Sequence, residues 1–224
     1  MARVARFVVP GLPHHVTQRG NRRERIFFED DDFALYRDWL GESCRQHGVA
    51  VWSYCQMPNH VHLILALADL VGLGLALART HRLYAGYVNA RKRQTGHVFQ
   101  GRFGSVALDE DHLVNAARYV ALKPVRARLV ARAEDWPHAS VGAHLSGSAD
   151  GLVDIAPLRQ RVPRFADLLE GEPDDASFME PRRSEVIGRP LGSPEFLDSV
   201  ARRLGRSVIP GKRGRKPKQV GSQE

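Results

Sequence analysis

Two apolar stretches on either side of a short turn constrain the fold of this chain more than any other feature. Residues 49–55 read Val-Ala-Val-Trp-Ser-Tyr-Cys, and residues 60–65 read His-Val-His-Leu-Ile-Leu. Both are rich in the β-branched, aromatic and aliphatic side chains that favour strands. Met57-Pro58-Asn59 between them predicts a turn, because proline cannot donate a hydrogen bond within a sheet and asparagine favours turns. The sequence therefore predicts a β-hairpin.

Helical periodicity precedes and follows this hairpin. Asp31 and Asp32 can cap a helix that ends near Gly48. The order β-α-β-β-α-β, followed by one more helix, is that of an α+β, ferredoxin-like antiparallel sheet with helices on one face and the other face left for a ligand. The remaining predicted elements are a strand at 14–18, a helix at 73–93, an extended segment at 98–103 and a helix at 109–122.

The charge of the chain favours a polyanionic partner. Its 224 residues include 33 Lys and Arg against 25 Asp and Glu, which gives a formal net charge of +8. Nucleic acid is the commonest such partner, and an acidic membrane surface is the alternative. No run of about 18 apolar residues is present, so no membrane span is predicted. Cys44 and Cys55 lack the spacing of zinc ligands and are expected to be buried thiols in the cytoplasm.

Composition changes after residue 145, so we predict two parts. The first covers residues 1–145, and the second, 146–224, holds a linker, a small helical segment near 196–204 and a basic tail. The tail resembles an extended arm that lies in the minor groove of DNA. A polybasic tail that raises non-specific affinity is the alternative. Its central basic residues are Lys212, Arg213, Arg215 and Lys216.

The residues that open the second strand of the hairpin can bind a metal ion. His60 and His62 are two positions apart, so a strand presents both imidazoles on one face. Two histidine ligands leave coordination positions open, as a catalytic divalent metal requires. The alternative is that one imidazole packs against a helix and the other is solvated, which is the commoner outcome for an isolated His-x-His.

Four stretches, in this order along the chain, resemble a known family. They read HVTQRGNR at 15–22, MPNHVHLI at 57–64, GHVFQGRF at 96–103 and RYVALKPVRA at 118–127. Together they resemble the tyrosine transposases of the HUH (His-hydrophobe-His) superfamily that act on single-stranded DNA, in particular the branch associated with repetitive extragenic palindromes (REP). The resemblance covers roughly residues 5–145 and implies a bacterial, cytoplasmic, nucleoid-associated enzyme of DNA transposition.

The resemblance also implies a mechanism. His60 and His62 hold Mg²⁺ or Mn²⁺, which polarises the scissile phosphate. Tyr119 matches the family's nucleophile and forms a 5′-phosphotyrosine, releasing a 3′-hydroxyl that can later attack the linkage again. The implied partner is single-stranded, hairpin or palindromic DNA, bound by a monomer or a homodimer. The other tyrosines, at 36, 54, 84 and 87, are expected to pack in the core.

The sequence departs from the family one helical turn after the nucleophile. The family usually has an amide there, which can be a third metal ligand, and this chain has Lys123. A protonated ammonium has no lone pair for a metal, but it can neutralise a phosphate. This departure favours the alternative of a catalytically impaired DNA-binding protein of the same fold. A family glycine shortly after is replaced by Arg128.

Basic residues near these motifs are the predicted DNA contacts. Arg102 lies between Phe99 and Phe103 in the sequence, and those rings are expected to stack on unpaired bases. The predicted contacts within the first part of the chain are Arg19, Arg22, Arg23, Arg102, Lys123 and Arg126.

Overall fold

The computed structural model describes residues 5–170 and 188–209. The predicted hairpin, both long helices and the helix that carries Tyr119 are all present. In chain order the elements are β1 (Pro13–Arg19), α1 (Asp30–Gln46), β2 (Val49–Met57), β3 (His60–Leu67), α2 (Gly72–Lys92), β4 (Gly104–Ala107), α3 (Glu110–Ala121), α4 (Lys123–Arg126), α5 (Val141–Ser146), α6 (Ala156–Arg161) and α7 (Pro194–Leu204).

The four strands form one antiparallel sheet in the order β2-β3-β1-β4. This is the strand order of a ferredoxin-like sheet, and the predicted α+β class is confirmed. One boundary was wrong, because the extended segment expected at 98–103 is mostly irregular and the strand begins at Gly104. Phe99 forms only an isolated bridge with Gly20, and Gly101 turns the chain with a positive φ of 87°. Glycine adopts this conformation without steric cost.

Helices cover both faces of the sheet. Side chains that alternate along β3 divide between the two faces. Val61, Leu63 and Leu65 pack against α1 and α2, and we call this side the α1/α2 face. The opposite side, which we call the α3 face, includes Ile64 and packs against Leu113 and other residues of α3. The expectation that this second face stays free is therefore corrected, because the apolar side of α3 packs on it.

Capping groups fix where the helices begin. Glu29 and Asp32 form a reciprocal capping box at the start of α1. The buried Asp32 carboxylate also accepts hydrogen bonds from Tyr87 Oη at 2.8 Å and from an Arg91 nitrogen at 2.7 Å, which tie α1 to α2. At α3, the Asp109 carboxylate accepts from the His112 backbone N–H at 2.9 Å. These caps orient α3 so that its last turn lies beside the start of β3.

The described C-terminal residues pack against the sheet rather than apart from it. The predicted linker is anchored, because Tyr54 Oη donates to the Asp150 carboxylate. The predicted helix near 196–204 is present as α7, and Val200 packs with Phe7 and Val9. The division near residue 145 stays a prediction, and the basic residues of the tail lie outside the described ranges. Within those ranges, no helix is long and apolar enough to cross a membrane.

Both edges of the sheet are covered by the chain's own backbone. At the β2 edge, the Gln56 N–H donates to the His138 carbonyl at 2.9 Å and the Ser140 N–H donates to the Tyr54 carbonyl at 3.0 Å. At the β4 edge, the Leu191 N–H donates to the Ala107 carbonyl at 2.8 Å. Covered edges present fewer unpaired backbone groups to another chain.

Candidate active site

One end of the sheet gathers the predicted site residues. Arg19 ends β1 and pairs directly with His60, the first residue of β3. The last turn of α3 brings Tyr119 to the same place. A pocket of about 270 Å³ opens here. It is lined by Arg19, Met57, His60, Tyr119, Lys123, Arg126 and Ala127.

The two histidines of β3 point to the α3 face, as their spacing predicts. Their ring centroids are 4.9 Å apart with the planes inclined at 78°. His62 is fully buried, whereas His60 lines the pocket. The Nδ1 atom of His60 lies 2.6 Å from Asn59 Oδ1, and the Nδ1 atom of His62 lies 3.1 Å from His15 Nε2. Each imidazole is thus held by a neighbouring polar group.

Tyr119 lies directly against this pair. Its ring meets the His62 ring edge to face, with centroids 5.6 Å apart and planes at 89°. Lys123, one turn later, donates a hydrogen bond from Nζ to Tyr119 Oη at 2.6 Å, and its ammonium is 4.1 Å from the centre of the tyrosine ring. A tyrosine hydroxyl, an ammonium and two imidazoles therefore meet at one site within a single chain.

The environment keeps both imidazoles neutral. Burial, together with the positive charges of Arg19 and Lys123, lowers the pKa of His60 to about 3. Burial also lowers the pKa of His62 well below its usual value, with Lys123 as the next cause. A low dielectric and nearby cations both disfavour an additional positive charge. Neutral imidazole is the form of histidine that binds metals.

The donor set fits a metal ion that takes further ligands from its substrate. In the described ranges, no group of three or more His, Cys, Asp or Glu side chains is arranged to hold a metal. His60 and His62 supply two neutral nitrogen donors, and the remaining positions would fall to phosphate oxygens and water. The nearby charges of Arg19 and Lys123 oppose a cation until an anionic substrate offsets them.

Comparison with known proteins identifies the family. The family described as IS200-like transposases matches residues 8–123, which is more than half of the chain. The chain belongs to the IS200-like transposase family. No curated protein matches the sequence.

Among solved structures, a REP-associated tyrosine transposase bound to a REP hairpin shares the fold of this IS200-like transposase. The two are 18% identical, with a TM-score of 0.57 over 69% of this chain and 90% of the other. A candidate transposase from Deinococcus radiodurans R1 is 16% identical, over 53% of this chain and 95% of its own, with a TM-score of 0.38.

Sequence reasoning missed one residue of the candidate site, His15. It is buried on β1, its ring stacks on His62 with centroids 5.3 Å apart, and it meets Tyr119 edge to face at 5.7 Å. The signal in the sequence is alternation, because His15, Thr17 and Arg19 share one face of β1. Alternation alone does not reveal the contact, since His15 and His62 are 47 residues apart.

The predicted base-stacking role of two aromatic residues is corrected. Phe99 and Phe103 are 8% and 9% exposed and belong to the core on the α1/α2 face. Phe99 packs against His81 and Tyr84, and the Arg6 guanidinium covers the Phe103 ring at 3.6 Å. Neither ring is positioned to receive a base.

The predicted basic contacts lie at or near the site end of the sheet. Arg22 and Arg23 are exposed in the turn that follows β1, and Arg102 is exposed in the loop before β4. Arg126 lines the pocket. Arg22, Arg23, Arg93 and Arg128 all have a positive φ, between 49° and 64°. Arginine rarely adopts this conformation, which disfavours side chains with a Cβ.

The other four tyrosines have structural partners. Tyr36 and Tyr84 are buried, and Tyr84 Oη donates to the Ile26 carbonyl at 2.6 Å. Tyr54 bonds Asp150, and Tyr87 bonds Asp32. Both cysteines are buried free thiols, as predicted.

Proposed function

We propose that this transposase cleaves and rejoins single-stranded or hairpin DNA through Tyr119, with Mg²⁺ or Mn²⁺ bound by His60 and His62. The observation that carries the proposal is the contact between Tyr119 and His62, with ring centroids 5.6 Å apart in one chain. A nucleophile that touches a metal ligand can attack a phosphate bound to the same metal. The bound cation would neutralise charge on the scissile phosphate.

In the first step, Tyr119 Oη bonds to phosphorus and the bond from phosphorus to the 3′ oxygen breaks. The phenol loses its proton, and the released 3′ oxygen takes one up. A 5′-phosphotyrosine holds the downstream DNA until a 3′-hydroxyl attacks it and frees the tyrosine. Because one phosphodiester replaces another, joining needs no external energy.

Lys123 serves the nucleophile in this scheme. Its Nζ donates to Tyr119 Oη at 2.6 Å, so its charge stabilises the phenolate as it forms. The same ammonium lines the pocket that the phosphate enters. It supplies positive charge where the family usually has a neutral amide.

DNA enters across the basic end of the sheet. Arg19 and Arg126 line the pocket beside Tyr119 and contact phosphates next to the cleaved one. Arg22, Arg23 and Arg102 extend the positive surface beyond the pocket. The tail, with Lys212, Arg213, Arg215 and Lys216, adds non-specific or minor-groove contacts. A hairpin substrate is supported by the REP hairpin bound to the relative of known structure.

A monomer suffices for this chemistry. Tyr119 and His62 touch within one chain, and both described edges of the sheet are covered by that chain. A homodimer that exchanges tyrosines is the alternative. Mixing a Tyr119→Phe protein with a His62→Gln protein tests it, since only an exchanged site recovers activity.

Formation of a covalent adduct tests the function directly. Hairpin oligonucleotides with randomised flanks are labelled at the 3′ end, because the fragment attached through its 5′ phosphate keeps that label. We expect a denaturant-resistant labelled protein band with Mn²⁺, and none in Tyr119→Phe. Tyr87→Phe is the matched control and keeps the band. An adduct that persists in Tyr119→Phe contradicts the assignment, and nicking without any adduct indicates a hydrolase that uses water.

A second candidate is a DNA-binding protein of this fold that no longer cleaves, which Lys123 at the amide position favours. Lys123→Gln restores the amide and separates the two candidates. If Lys123 assists Tyr119, the variant forms adduct more slowly than wild type. If Lys123 has impaired the enzyme, wild type binds the hairpin without adduct and Lys123→Gln gains activity.

A further inference from the structure

The Nδ1 atoms of both site histidines already have hydrogen-bond partners. Asn59 Oδ1 lies 2.6 Å from His60 Nδ1, and His15 Nε2 lies 3.1 Å from His62 Nδ1. Metal-binding histidines commonly use one ring nitrogen for the metal and the other for such a partner, which fixes the tautomer and the ring orientation. These two contacts therefore influence which ring nitrogen of each histidine carries the lone pair.

The orientation of Asn59 determines the tautomer of His60. Asn59 Nδ2 donates to the Arg23 carbonyl at 2.9 Å, which directs the amide oxygen towards His60. Because that oxygen only accepts hydrogen bonds, His60 Nδ1 must carry the proton and donate. The turn itself is fixed from β1, since the Gly20 N–H donates to the Asn59 carbonyl at 2.8 Å. The lone pair of His60 is then at Nε2.

His15 Nε2 is the hydrogen-bond partner of His62 Nδ1, at 3.1 Å. Both rings are buried and nearly parallel, at 14°. His15 is fixed in the centre of the sheet, where it pairs with Ile64 on one side and with Val106 on the other. In a bond between two neutral imidazoles, one nitrogen donates and the other accepts. If His62 donates from Nδ1, its lone pair is also at Nε2.

We propose that Asn59 and His15 are positioning residues that hold His60 and His62 in the Nδ1-protonated tautomer, so that both Nε2 atoms carry the lone pairs that bind a divalent cation. This inference rests on the proposed function, because it assigns the atoms that the metal would contact. Asn59 acts from the β2–β3 turn and His15 from β1, so the site depends on two separate elements of the fold.

Long-range ¹H–¹⁵N correlation spectra of ¹⁵N-histidine-labelled protein without metal report each tautomer directly. His60→Gln and His62→Gln spectra assign the signals. We expect both rings to be protonated at Nδ1 in the wild type. A wild-type spectrum in which either ring is protonated at Nε2 overturns the inference for that residue.

Mn²⁺ titration of the protein with a bound hairpin oligonucleotide, corrected for the Mn²⁺ that the oligonucleotide binds alone and followed by electron paramagnetic resonance, tests the positioning role. His15→Phe keeps a stacked ring without an acceptor, and Asn59→Leu removes the acceptor for His60. Each is expected to weaken Mn²⁺ binding about 10- to 100-fold. His15→Gln and Asn59→Asp keep an acceptor and should bind within a few-fold of wild type or more tightly. His81→Phe, a buried histidine bonded to Tyr36 away from the site, is the matched control with unchanged affinity.

The outcomes separate this inference from the proposed function. Wild-type protein that has the expected tautomers and binds no Mn²⁺ supports the positioning role and counts against the metal. Tight wild-type binding that His15→Phe and Asn59→Leu leave unchanged overturns the positioning role and leaves the proposed function standing. Thermal unfolding of each variant verifies that it is folded.

Discussion

The two faces of the sheet are built from the same strands and differ in kind. On the α1/α2 face, β1 and β3 contribute Val16, Val61, Leu63 and Leu65, all buried in one apolar cluster. On the α3 face, one residue out of phase, the same strands contribute Arg19 and the stacked pair of His15 and His62. Alternation along a strand is sufficient to separate these two sets.

Apolar residues stabilise the fold on both faces, and the α3 face also buries the imidazoles of His15 and His62. Burying aliphatic side chains is favourable by about 1.5–3 kcal/mol each. Burying imidazoles is costly unless they are hydrogen-bonded, and burial lowers the pKa of His62 because it disfavours the charged form. The imidazoles of His15 and His62, buried beneath α3, are therefore not expected to stabilise the fold. The polar set on the α3 face is consistent with the catalytic role proposed for it.

The largest expected effect comes from breaking the apolar face. Leu63 is fully buried between the sheet and the two helices, so Leu63→Ala leaves a cavity. We expect a loss of about 2–5 kcal/mol in the free energy of unfolding, measured by urea titration with tryptophan fluorescence. Adduct formation should persist at temperatures where the variant stays folded. A cost below about 1 kcal/mol would contradict the role given to this face.

On the α3 face we expect a smaller loss of stability, which a second substitution restores. His62→Leu leaves His15 buried without its partner and should cost about 1–3 kcal/mol. Adding His15→Phe replaces both partners by apolar groups and should return stability to the wild-type value or above it. Metal binding should be lost in both variants. If the double variant stays well below the wild-type stability, the histidine pair stabilises the fold and the comparison fails.

The sequence predicted one face better than the other, and the reason is physical. Periodicity reveals strands, helices and the common face of His60 and His62, because these depend on neighbours along the chain. It does not reveal that α3 covers the second face, since that depends on packing across the fold. The partnership of His15 with His62 is invisible for the same reason.

The loop before β4 shows a second limit of prediction from sequence. Phe99 and Phe103 flank an exposed arginine, and this local pattern resembles that of a base-stacking surface. Both rings instead fill the core beside His81, because burying large aromatic side chains is strongly favourable. The local sequence pattern shows the two aromatic residues beside the arginine, but it does not indicate whether their rings point to solvent or into the core.

Acid should lower the free energy of unfolding through the buried histidines of the α3 face. Burial lowers the pKa of His15 from 6.5 to about 3, and that of His62 is also lowered, so both stay neutral in the folded protein. Below pH 6.5 the histidines of the unfolded chain take up protons that those of the folded chain do not. The free energy of unfolding therefore decreases as the pH is lowered. At pH 5.5 the loss is about 1.4 kcal/mol per histidine.

The double variant His15→Phe/His62→Leu sharpens this measurement. It lacks two of the buried histidines and should lose roughly 3 kcal/mol less than wild type between pH 7.5 and pH 5.5. His14 and His81, whose pKa values burial lowers to about 4 and about 3, contribute the same loss to both proteins. Urea unfolding at constant ionic strength gives the two curves. Parallel curves would mean that the pair titrates normally in the folded state.

The smallest expected effect comes from replacing two arginines that have a positive φ. The pair separates the contribution of charge to DNA binding from the effect of backbone conformation on stability. Arg128 follows α4 on the α3 side with a φ of 55°, and Arg93 follows α2 with a φ of 49°. Glycine at either position relieves the left-handed conformation, so each Arg→Gly variant should gain up to about 1 kcal/mol in stability. If DNA crosses the α3 side of the molecule, only Arg128→Gly should weaken hairpin binding.

The salt dependence of binding identifies the cause. Loss of one phosphate contact lowers the slope of log K against log salt by about 0.7 for single-stranded DNA and about 0.9 for duplex. We expect that change for Arg128→Gly and an unchanged slope for Arg93→Gly, measured by fluorescence anisotropy with the same hairpin. Equal changes in both variants would mean that DNA contacts the two sides of the sheet alike. The two faces would then differ in stability and catalysis but not in DNA binding.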